Sequence, residues 1–161
     1  MKVGVISDTH IPRRRKALPD FVAETFAGVD LILHAGDINE QSVLDALARL
    51  APVEAVAGNT DPPELVEALG YQKLLELNGF KIGLTHGHNG KRRETPERAR
   101  ASFPDADVVV FGHSHKPLVR TTDGCLLLNP GSPTDKRRQP RYSLGMLYLR
   151  SRARGKILYF D

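Results

Sequence analysis

Five short polar motifs, each placed directly after an apolar run of β-strand type, constrain the fold of this chain more than any other feature. Buried strands deliver the residues at their carboxyl ends to one shared edge of a sheet. Asp, Asn and His side chains gathered at such an edge are the ligand set of a hard or borderline metal ion. The pattern therefore predicts a hydrolase with a dinuclear metal site. The motifs are Asp8-Thr9-His10, Gly36-Asp37, Gly58-Asn59, His86-Gly87-His88 and Gly112-His113-Ser114-His115.

The order of apolar and turn patterns predicts an α/β (mixed α+β) sandwich of two sheets with helices on the outside. Strands and helices alternate in the first third of the chain, which implies parallel strands with helical crossovers. Later, the hairpin turns Asn78-Gly79 and Asp123-Gly124 imply antiparallel pairs. A helix is predicted to begin with Thr95 as its N-cap and to end near Phe103. The other predicted elements are strands at Lys2–Ile6, Asp30–His34, Val53–Ala57, Lys73–Leu77, Phe80–Thr85, Asp107–Phe111, Val119–Thr122, Cys125–Leu128, Tyr142–Leu149 and Lys156–Phe160, and helices at Leu18–Phe26 and Gln41–Leu50.

Length and composition exclude several classes of protein. A chain of 161 residues suits one domain with a substantial core, and we predict a single domain over residues 1–161. Aromatic residues make up 6% and Trp is absent, which argues against a stacking platform for single-stranded nucleic acid. The one cysteine, Cys125, excludes an intrachain disulfide and a thiolate metal cluster, and its apolar neighbours predict a buried thiol. The chain begins with a strand and has no apolar run long enough to span a bilayer, so we expect a cytoplasmic protein.

The net charge of +4 comes with four clusters of basic residues. Three of these clusters lie a few residues after a polar motif or after the segment Asn129-Pro130-Gly131-Ser132. They are Arg13–Lys16, Lys91–Arg93 and Lys136–Arg138. We predict that these three clusters rim the metal site and attract an anion, with Arg13 as a substrate contact. The last cluster, Arg150–Lys156, is interpreted as a solvated loop.

The residue types in the motifs predict the role of each residue in metal binding. Residues i and i+2 of an extended segment face the same way, so Asp8 and His10 can bind one ion together. The carboxylate of Asp37 can bridge two ions through its two oxygens, and Asn59 offers a neutral carbonyl oxygen. His86, His113 and His115 each offer an imidazole nitrogen. Two ions about 3.5–4 Å apart generate a hydroxide near neutral pH and clamp both oxygens of an in-line displacement at phosphorus.

Two histidines are interpreted differently. His34 lies within a predicted strand, so we predict a core histidine with satisfied hydrogen bonds. For His88 two interpretations stay open. Either it supports the metal ligands or contacts the substrate phosphate, or it has no functional role.

The motifs, in this order, resemble those of the calcineurin-like metallophosphoesterases, which run D-x-H, G-D, G-N, H and G-H-x-H. The resemblance covers Met1 through Tyr148, and the size and Asn129-Pro130-Gly131-Ser132 are similar to the small prokaryotic phosphodiesterase branch. It implies a four-layer αββα sandwich and two divalent ions, with manganese as the usual activator and iron, zinc or nickel as alternatives. It assigns one ion to Asp8, His10, Asp37 and His115, and the other to Asp37, Asn59, His86 and His113. The stretch Asp8-Thr9-His10-Ile11-Pro12, with Leu18-Pro19 and Phe21 following, is also similar to the retromer subunit Vps29, which shares the fold and serves mainly as a protein-binding scaffold.

One position departs from the family pattern. Many members have His directly after the Asn of their G-N motif, as a proposed acid for the leaving group, and here that residue is Thr60. A threonine hydroxyl is too weak an acid for this role. Asp61 or His88 remain as alternative proton donors.

The expected function is hydrolysis of a small phosphodiester by a metal-bridging hydroxide, with Asn59, His88 and Arg13 as substrate contacts. A nuclease is a second hypothesis, supported by the basic clusters but opposed by the scarcity of aromatic residues. A Vps29-like scaffold is the third, opposed by the presence of all seven ligands. We expect no membrane partner, and a homo-oligomer stays open.

Overall fold

The computed structural model describes residues 1–161 and contains ten strands and four helices. Each strand belongs to one of two five-stranded sheets. The strands are β1 (Lys2–Ile6), β2 (Leu31–His34), β3 (Val53–Ala55), β4 (Gln72–Leu77), β5 (Phe80–Thr85), β6 (Val108–Val110), β7 (Leu118–Thr122), β8 (Cys125–Asn129), β9 (Tyr142–Leu149) and β10 (Ala153–Phe160). The helices are α1 (Asp20–Phe26), α2 (Gln41–Ala48), α3 (Pro63–Leu69) and α4 (Thr95–Ser102). None of them combines the length and the apolar character that a membrane crossing needs.

Both sheets are mixed, as the sequence predicts. The first has the order β10-β9-β1-β2-β3, in which β1, β2 and β3 are parallel and β9 and β10 are antiparallel neighbours. The second has the order β4-β5-β6-β8-β7, with a parallel centre of β5, β6 and β8 and an antiparallel strand at each edge. The parallel centres point their carboxyl ends toward the same end of the molecule, where the polar motifs follow.

The alternation of side chains along the strands builds three apolar layers. In β1, Val3 and Val5 point into the layer between the sheets, where they meet Leu84 and Val110 of the second sheet. Because successive side chains of a strand face opposite ways, Ile6 of β1 joins α1 and α2 in the layer outside the first sheet. A smaller layer joins α4 to the second sheet through Ala99, Phe103 and Val109 among others. These layers confirm the four-layer αββα sandwich.

Several element boundaries differ from the sequence prediction. No helix was predicted at α3, which has only seven residues and begins at Pro63 after a second proline. The N-cap of α4 is Glu94 rather than Thr95, because the Glu94 carbonyl accepts the Arg98 N–H at 3.1 Å and Thr95 is already helical. Cys125 is buried, as predicted.

The interpretation of Arg150–Lys156 as a loop is wrong for its second half. Strand β10 begins at Ala153 and pairs with β9 over its whole length, so Arg154 and Lys156 lie in the sheet. The arginines and Gly155 in this segment interrupt the apolar alternation. The sequence pattern therefore does not indicate where the strand begins.

The layer between the sheets is expected to contribute strongly to stability. Leu84 of β5 is fully buried there, whereas Leu74 of the adjacent β4 is 61% exposed. Leu84→Ala should lower the free energy of unfolding by about 3 kcal/mol, since it removes buried methyl groups and leaves a cavity. The matched variant Leu74→Ala should change it by less than about 0.5 kcal/mol. Urea unfolding of chelator-treated protein measures both, and equal losses in the two variants would contradict this assignment of the core.

Candidate metal centre

The structure brings the five motifs together at one end of the sandwich. Strands β1, β2 and β3 of the first sheet lead into the motifs at Asp8, Asp37 and Asn59, and strands β5 and β6 of the second lead into His86 and His113. The two loops of the first sheet are joined by backbone hydrogen bonds, from the Asp8 N–H to the Gly36 carbonyl at 3.0 Å and from the His10 N–H to the Asp37 carbonyl at 3.1 Å. The candidate site therefore straddles both sheets, and neither could form it alone.

Asp8 lies at the centre and is fully buried. Its Oδ2 accepts hydrogen bonds from the Ser7 hydroxyl at 2.8 Å and from the His113 backbone N–H at 3.1 Å. Its Oδ1 makes no hydrogen bond and faces the Nε2 atoms of His115 at 3.3 Å, His10 at 3.8 Å and His86 at 3.8 Å. Buried polar atoms are almost always paired, so an unpaired carboxylate oxygen among three imidazoles has the character of a metal ligand.

Backbone and side-chain acceptors fix the orientation of three histidine rings. His86 donates from Nδ1 to the Ala35 carbonyl at 2.8 Å, and His115 donates from Nδ1 to the Asp135 carbonyl. The His10 Nδ1 lies 3.3 Å from the Asn39 Oδ1. With Nδ1 engaged in this way, each ring turns its Nε2 toward the carboxylates, which is how outer partners orient metal-binding histidines. The His86 Nε2 is itself buried without a hydrogen bond.

Asp37 presents only one oxygen to the histidines. Its Oδ2 lies 3.5 Å from the His10 Nε2 and 3.2 Å from the His86 Nε2. Its Oδ1 accepts the Thr60 backbone N–H at 2.9 Å. In this structure Oδ1 holds the Gly58-Asn59 turn and Oδ2 faces the histidines, and the use of both oxygens as metal ligands stays a prediction.

The structure groups the donor atoms of the buried residues into two overlapping sets. Asp8, His10 and His115 form one, and Asp8, Asp37 and His86 form the other, with all donor atoms of a set within 4.8 Å of one another. Asn59 and His113 complete the site at its open side, with the Asn59 Oδ1 3.2 Å from the His113 Nδ1. The seven predicted ligands thus lie together as a candidate two-metal site, five of them buried, with His113 half-buried and Asn59 exposed.

The backbone at the site is strained. Five of the seven predicted ligands have positive φ angles, between 44° at His10 and 68° at His113. Such conformations in non-glycine residues cost on the order of 1–3 kcal/mol each and persist where the surrounding structure enforces them. Part of that enforcement is visible at Asp8, whose carbonyl accepts hydrogen bonds from the hydroxyls of Ser132 and Thr134.

The charges of the site are strongly coupled. Burial raises the pKa of the Asp37 carboxyl, but its contacts with His86 and Thr60 bring the net pKa below the ordinary value. Burial lowers the pKa of His86, and the carboxylates of Asp8 and Asp37 reverse this and raise it to about 9. Burial and the proximity of His86 lower the pKa of His113 to about 4. Burial also raises the pKa of the Asp8 carboxyl, but His86 and His115 bring its net pKa below the ordinary value. Both carboxylates therefore stay ionised and attract positive charge into the site.

Two glycines permit the close approach of the loops. A Cβ at Gly58 would overlap Oδ1 of Asp37 and lie 2.6 Å from its backbone nitrogen. A Cβ at Gly112 would overlap the Ser7 hydroxyl and lie 2.7 Å from Oδ2 of Asp8. Both glycines of these motifs thus have a packing reason beyond turn formation.

Comparison with known proteins agrees with the motif pattern. A model of the calcineurin-like phosphoesterase superfamily domain matches residues 1–152. The chain belongs to this superfamily.

Individual relatives carry different names. The "Probable metallophosphoesterase" of Methanothermobacter thermautotrophicus is 44% identical over 135 residues, which are 83% of this chain and 78% of that protein. A phosphodiesterase of Methanocaldococcus jannaschii is 30% identical over 145 residues, 81% of this chain and 83% of that protein. Among solved structures, Entamoeba histolytica Vps29 in complex with Zn²⁺ is similar with a TM-score of 0.77 and 26% identity, and the match covers 100% of both chains. The motif-based recognition of the small phosphodiesterase branch, with structural closeness to Vps29, is confirmed.

Sequence analysis missed the role of Asp61. Its Oδ2 accepts the backbone N–H groups of Gly58 at 2.7 Å and Asp37 at 3.0 Å, and its Oδ1 accepts those of Asn39 at 2.7 Å and Ile38 at 2.8 Å. The alternative that Asp61 donates a proton to a leaving group is therefore wrong, because a proton on either oxygen would face N–H donors. Asp61 instead ties the Gly36-Asp37 loop to the Gly58-Asn59 loop.

The remaining histidines and Arg13 have distinct positions. His34 is fully buried and hydrogen bonded through both ring nitrogens, to Thr9 and to the Gly36 N–H, which confirms it as a core histidine. His88 packs beside His86 with ring centroids 5.4 Å apart, and its Nδ1 is buried without a hydrogen bond. Arg13 is exposed and its role on substrate stays a prediction.

Asp61→Asn tests the connection between the two loops. An asparagine turns an NH₂ group toward N–H donors, so the loop that carries Asp37 should lose its position. We expect the affinity for Mn²⁺ to fall by about tenfold or more, as for other residues that orient metal ligands. Isothermal titration of chelator-treated protein measures the affinity. Asp45→Asn, an identical change on the exposed face of α2, is the control, and an equal affinity in both variants would contradict the role of Asp61.

Proposed function

We propose that this chain is a phosphodiesterase that works with two divalent cations held by the seven ligands. The observation that carries the proposal is the position of the Asp37 Oδ2, between the Nε2 atoms of His10 and His86 at 3.5 and 3.2 Å. One carboxylate oxygen between two imidazoles that point at it from opposite sheets is suited to a ligand shared by two ions. The membership in the calcineurin-like phosphoesterase superfamily supports the same chemistry.

The ligands divide into two sets in this proposal. Asp8, His10 and His115 would hold one ion, Asn59, His86 and His113 would hold the other, and Asp37 would serve both. The unpaired Oδ1 of Asp8 and Nε2 of His86 fit this use, because a buried donor atom without a partner inside the protein is free for a cation. Mixed nitrogen and oxygen donors suit manganese, which we propose first, and also iron, zinc and nickel.

The chain's own residues prepare the site for phosphate. Two bound cations would supply Lewis acidity toward the phosphoryl oxygens and lower the pKa of water for attack. Asn59 is exposed beside His113, so its side chain can contact an arriving ester. His88 lies in the same histidine group, with ring centroids 5.4 Å from His86 and 6.3 Å from His113, and we propose it as a phosphate contact.

No strong acid stands at position 60 to protonate a leaving group. The Thr60 hydroxyl accepts a hydrogen bond from the Asn39 amide at 2.9 Å, and the neighbouring Asp61 is committed to four backbone N–H groups. We therefore propose that substrates with stable leaving groups react best. The phosphodiesterase relative supports a diester over a monoester.

A Vps29-like protein-binding role is the second candidate, because the similarity to solved Vps29 extends over the whole chain. A scaffold does not depend on hydrolysis, so activity separates the two candidates. The assay uses bis(p-nitrophenyl) phosphate and p-nitrophenyl phosphate, with chelator-treated protein reloaded with Mn²⁺, Zn²⁺, Ni²⁺ or Mg²⁺.

Asp37→Asn is the decisive variant for the two-metal proposal. A neutral amide does not offset the charge of two dications, so we expect loss of at least one metal per chain and of nearly all diester hydrolysis. Metal content by elemental analysis and the rate on bis(p-nitrophenyl) phosphate are the measurements, and Asp45→Asn is again the matched control. Full metal content with an unchanged rate would remove the dinuclear site. Absence of hydrolysis by the native protein with every metal would favour the scaffold.

The leaving group should control the rate strongly. We expect methyl aryl phosphodiesters to react faster as the pKa of the phenol falls, because no proton donor assists the departing oxygen. Thr60→His should help the least reactive esters most and so flatten the dependence. A flat dependence in the native protein would show that another acid, with His88 as the candidate, already acts there. His88→Gln would then restore a steep dependence.

A further inference from the structure

We propose that a basic pocket beside the metal centre binds a second phosphate group of the substrate, one that is not hydrolysed. We call it the rim pocket, and this inference rests on the proposed phosphodiesterase function. The pocket has a volume of about 470 Å³ and a lining without any apolar or acidic residue. It is lined by Arg14, Ser114, Lys116, Arg137, Arg138 and Gln139.

Three separate loops of the metal centre build the rim pocket. Arg14 comes from the loop that follows His10, and Ser114 and Lys116 flank His115. Arg137 and Arg138 follow Asp135. Each contributing loop also carries or supports a candidate metal ligand, which places the rim pocket beside the candidate metal centre.

Asp135 links the pocket to the metal centre directly. Its backbone carbonyl accepts the hydrogen bond of His115 Nδ1. Its carboxylate pairs with Arg14, Nε to Oδ2 at 3.1 Å, and more loosely with Arg137 at 4.0 Å. One residue thus orients a ligand histidine on one side and two arginines of the pocket on the other.

The charge of the rim pocket is not balanced within the protein. Four cationic side chains converge there, and the Asp135 carboxylate is the only acidic group paired with any of them. Lys116 and Arg138 have no carboxylate within 4.0 Å. Like charges held close together repel one another. A bound anion would offset this repulsion among the four cationic side chains. A phosphate monoester carries a charge of about −1.5 to −2 near neutral pH and offers several acceptor oxygens, which matches this excess.

The composition of the lining favours a small substrate over a nucleic-acid strand. The lining has no aromatic residue on which a base could stack, and such stacking supports most single-strand binding. The substrate class that we infer is a small phosphodiester whose retained arm ends in a phosphate. The scissile diester then sits at the metals while the terminal phosphate occupies the rim pocket.

Two substrates that differ only in that phosphate test the inference. They are thymidine 5′-(p-nitrophenyl phosphate) and the same ester with a 3′-phosphate, both of which release p-nitrophenol. The native protein with Mn²⁺ should have a kcat/KM at least about tenfold higher for the 3′-phosphorylated ester. In the double variant Lys116→Gln/Arg138→Gln this ratio should fall to near one. A native ratio near one, or an unchanged ratio in the double variant, would overturn the rim pocket.

A second basic cavity supplies the control for charge alone. Arg150 and Arg152 line a cavity around the β9–β10 turn, together with Tyr148 and Arg154. Arg150→Gln/Arg152→Gln removes the same charge as the test variant. These arginines follow the end of β9 that pairs with the start of β1, at the end of the sheet opposite to the candidate metal centre. The ratio should survive in this control. A drop equal to that in the test variant would show long-range attraction only and would also overturn the proposal.

Binding without catalysis separates failure of the pocket from failure of the proposed function. Chelator-treated native protein should bind thymidine 3′,5′-bisphosphate about tenfold more tightly than thymidine 5′-phosphate in isothermal titration. The Lys116→Gln/Arg138→Gln variant should bind both equally. If no ester is hydrolysed, the proposed function fails, and this titration still shows whether the rim pocket binds a second phosphate. If both esters are hydrolysed at equal efficiency, the function stands and the pocket is rejected.

Discussion

Burial of the Asp8 carboxylate is the constraint on which the rest of the structure depends. A fully buried ionised group is costly unless charges and hydrogen bonds surround it. Ser7 and the His113 N–H satisfy one oxygen, and three imidazoles face the other. Because these imidazoles belong to loops of both sheets, the carboxylate can be accommodated only when the sandwich is closed. The stable apolar layer between the sheets therefore makes the charged site possible.

The strained loops are held by polar contacts that come from distant parts of the chain. Asp61 gathers four N–H groups of two loops, and Ser132 and Thr134 bind the Asp8 carbonyl from the segment after β8. Positive φ angles at Asp8 and Asp37 are tolerable under this restraint. The outer residues thus fix the backbone, and the backbone in turn aims the metal-binding atoms.

The sequence was informative wherever a local pattern decides the structure. Apolar runs followed by the five polar motifs predicted both the strand ends and the seven candidate ligands, because parallel strands necessarily share an edge. The role of Asp61 was not predictable, since its partners at Asp37, Ile38 and Asn39 are 22 to 24 residues away. The sequence predicted the rim pocket only in part. The basic clusters predicted that an anion is attracted to the site, but the pocket is lined by Arg14 and not by Arg13.

Proteins of this fold carry names as different as phosphodiesterase and Vps29, so the sandwich alone does not determine function. The candidate metal centre is built from short motifs at strand ends and depends on the closed core. The loops that follow those motifs place four cationic side chains around one cavity. Asp135 joins the two regions, since it orients His115 through its backbone and Arg14 through its side chain. Substrate choice in this chain is therefore expected to lie in the rim, while the chemistry lies in the buried ligands.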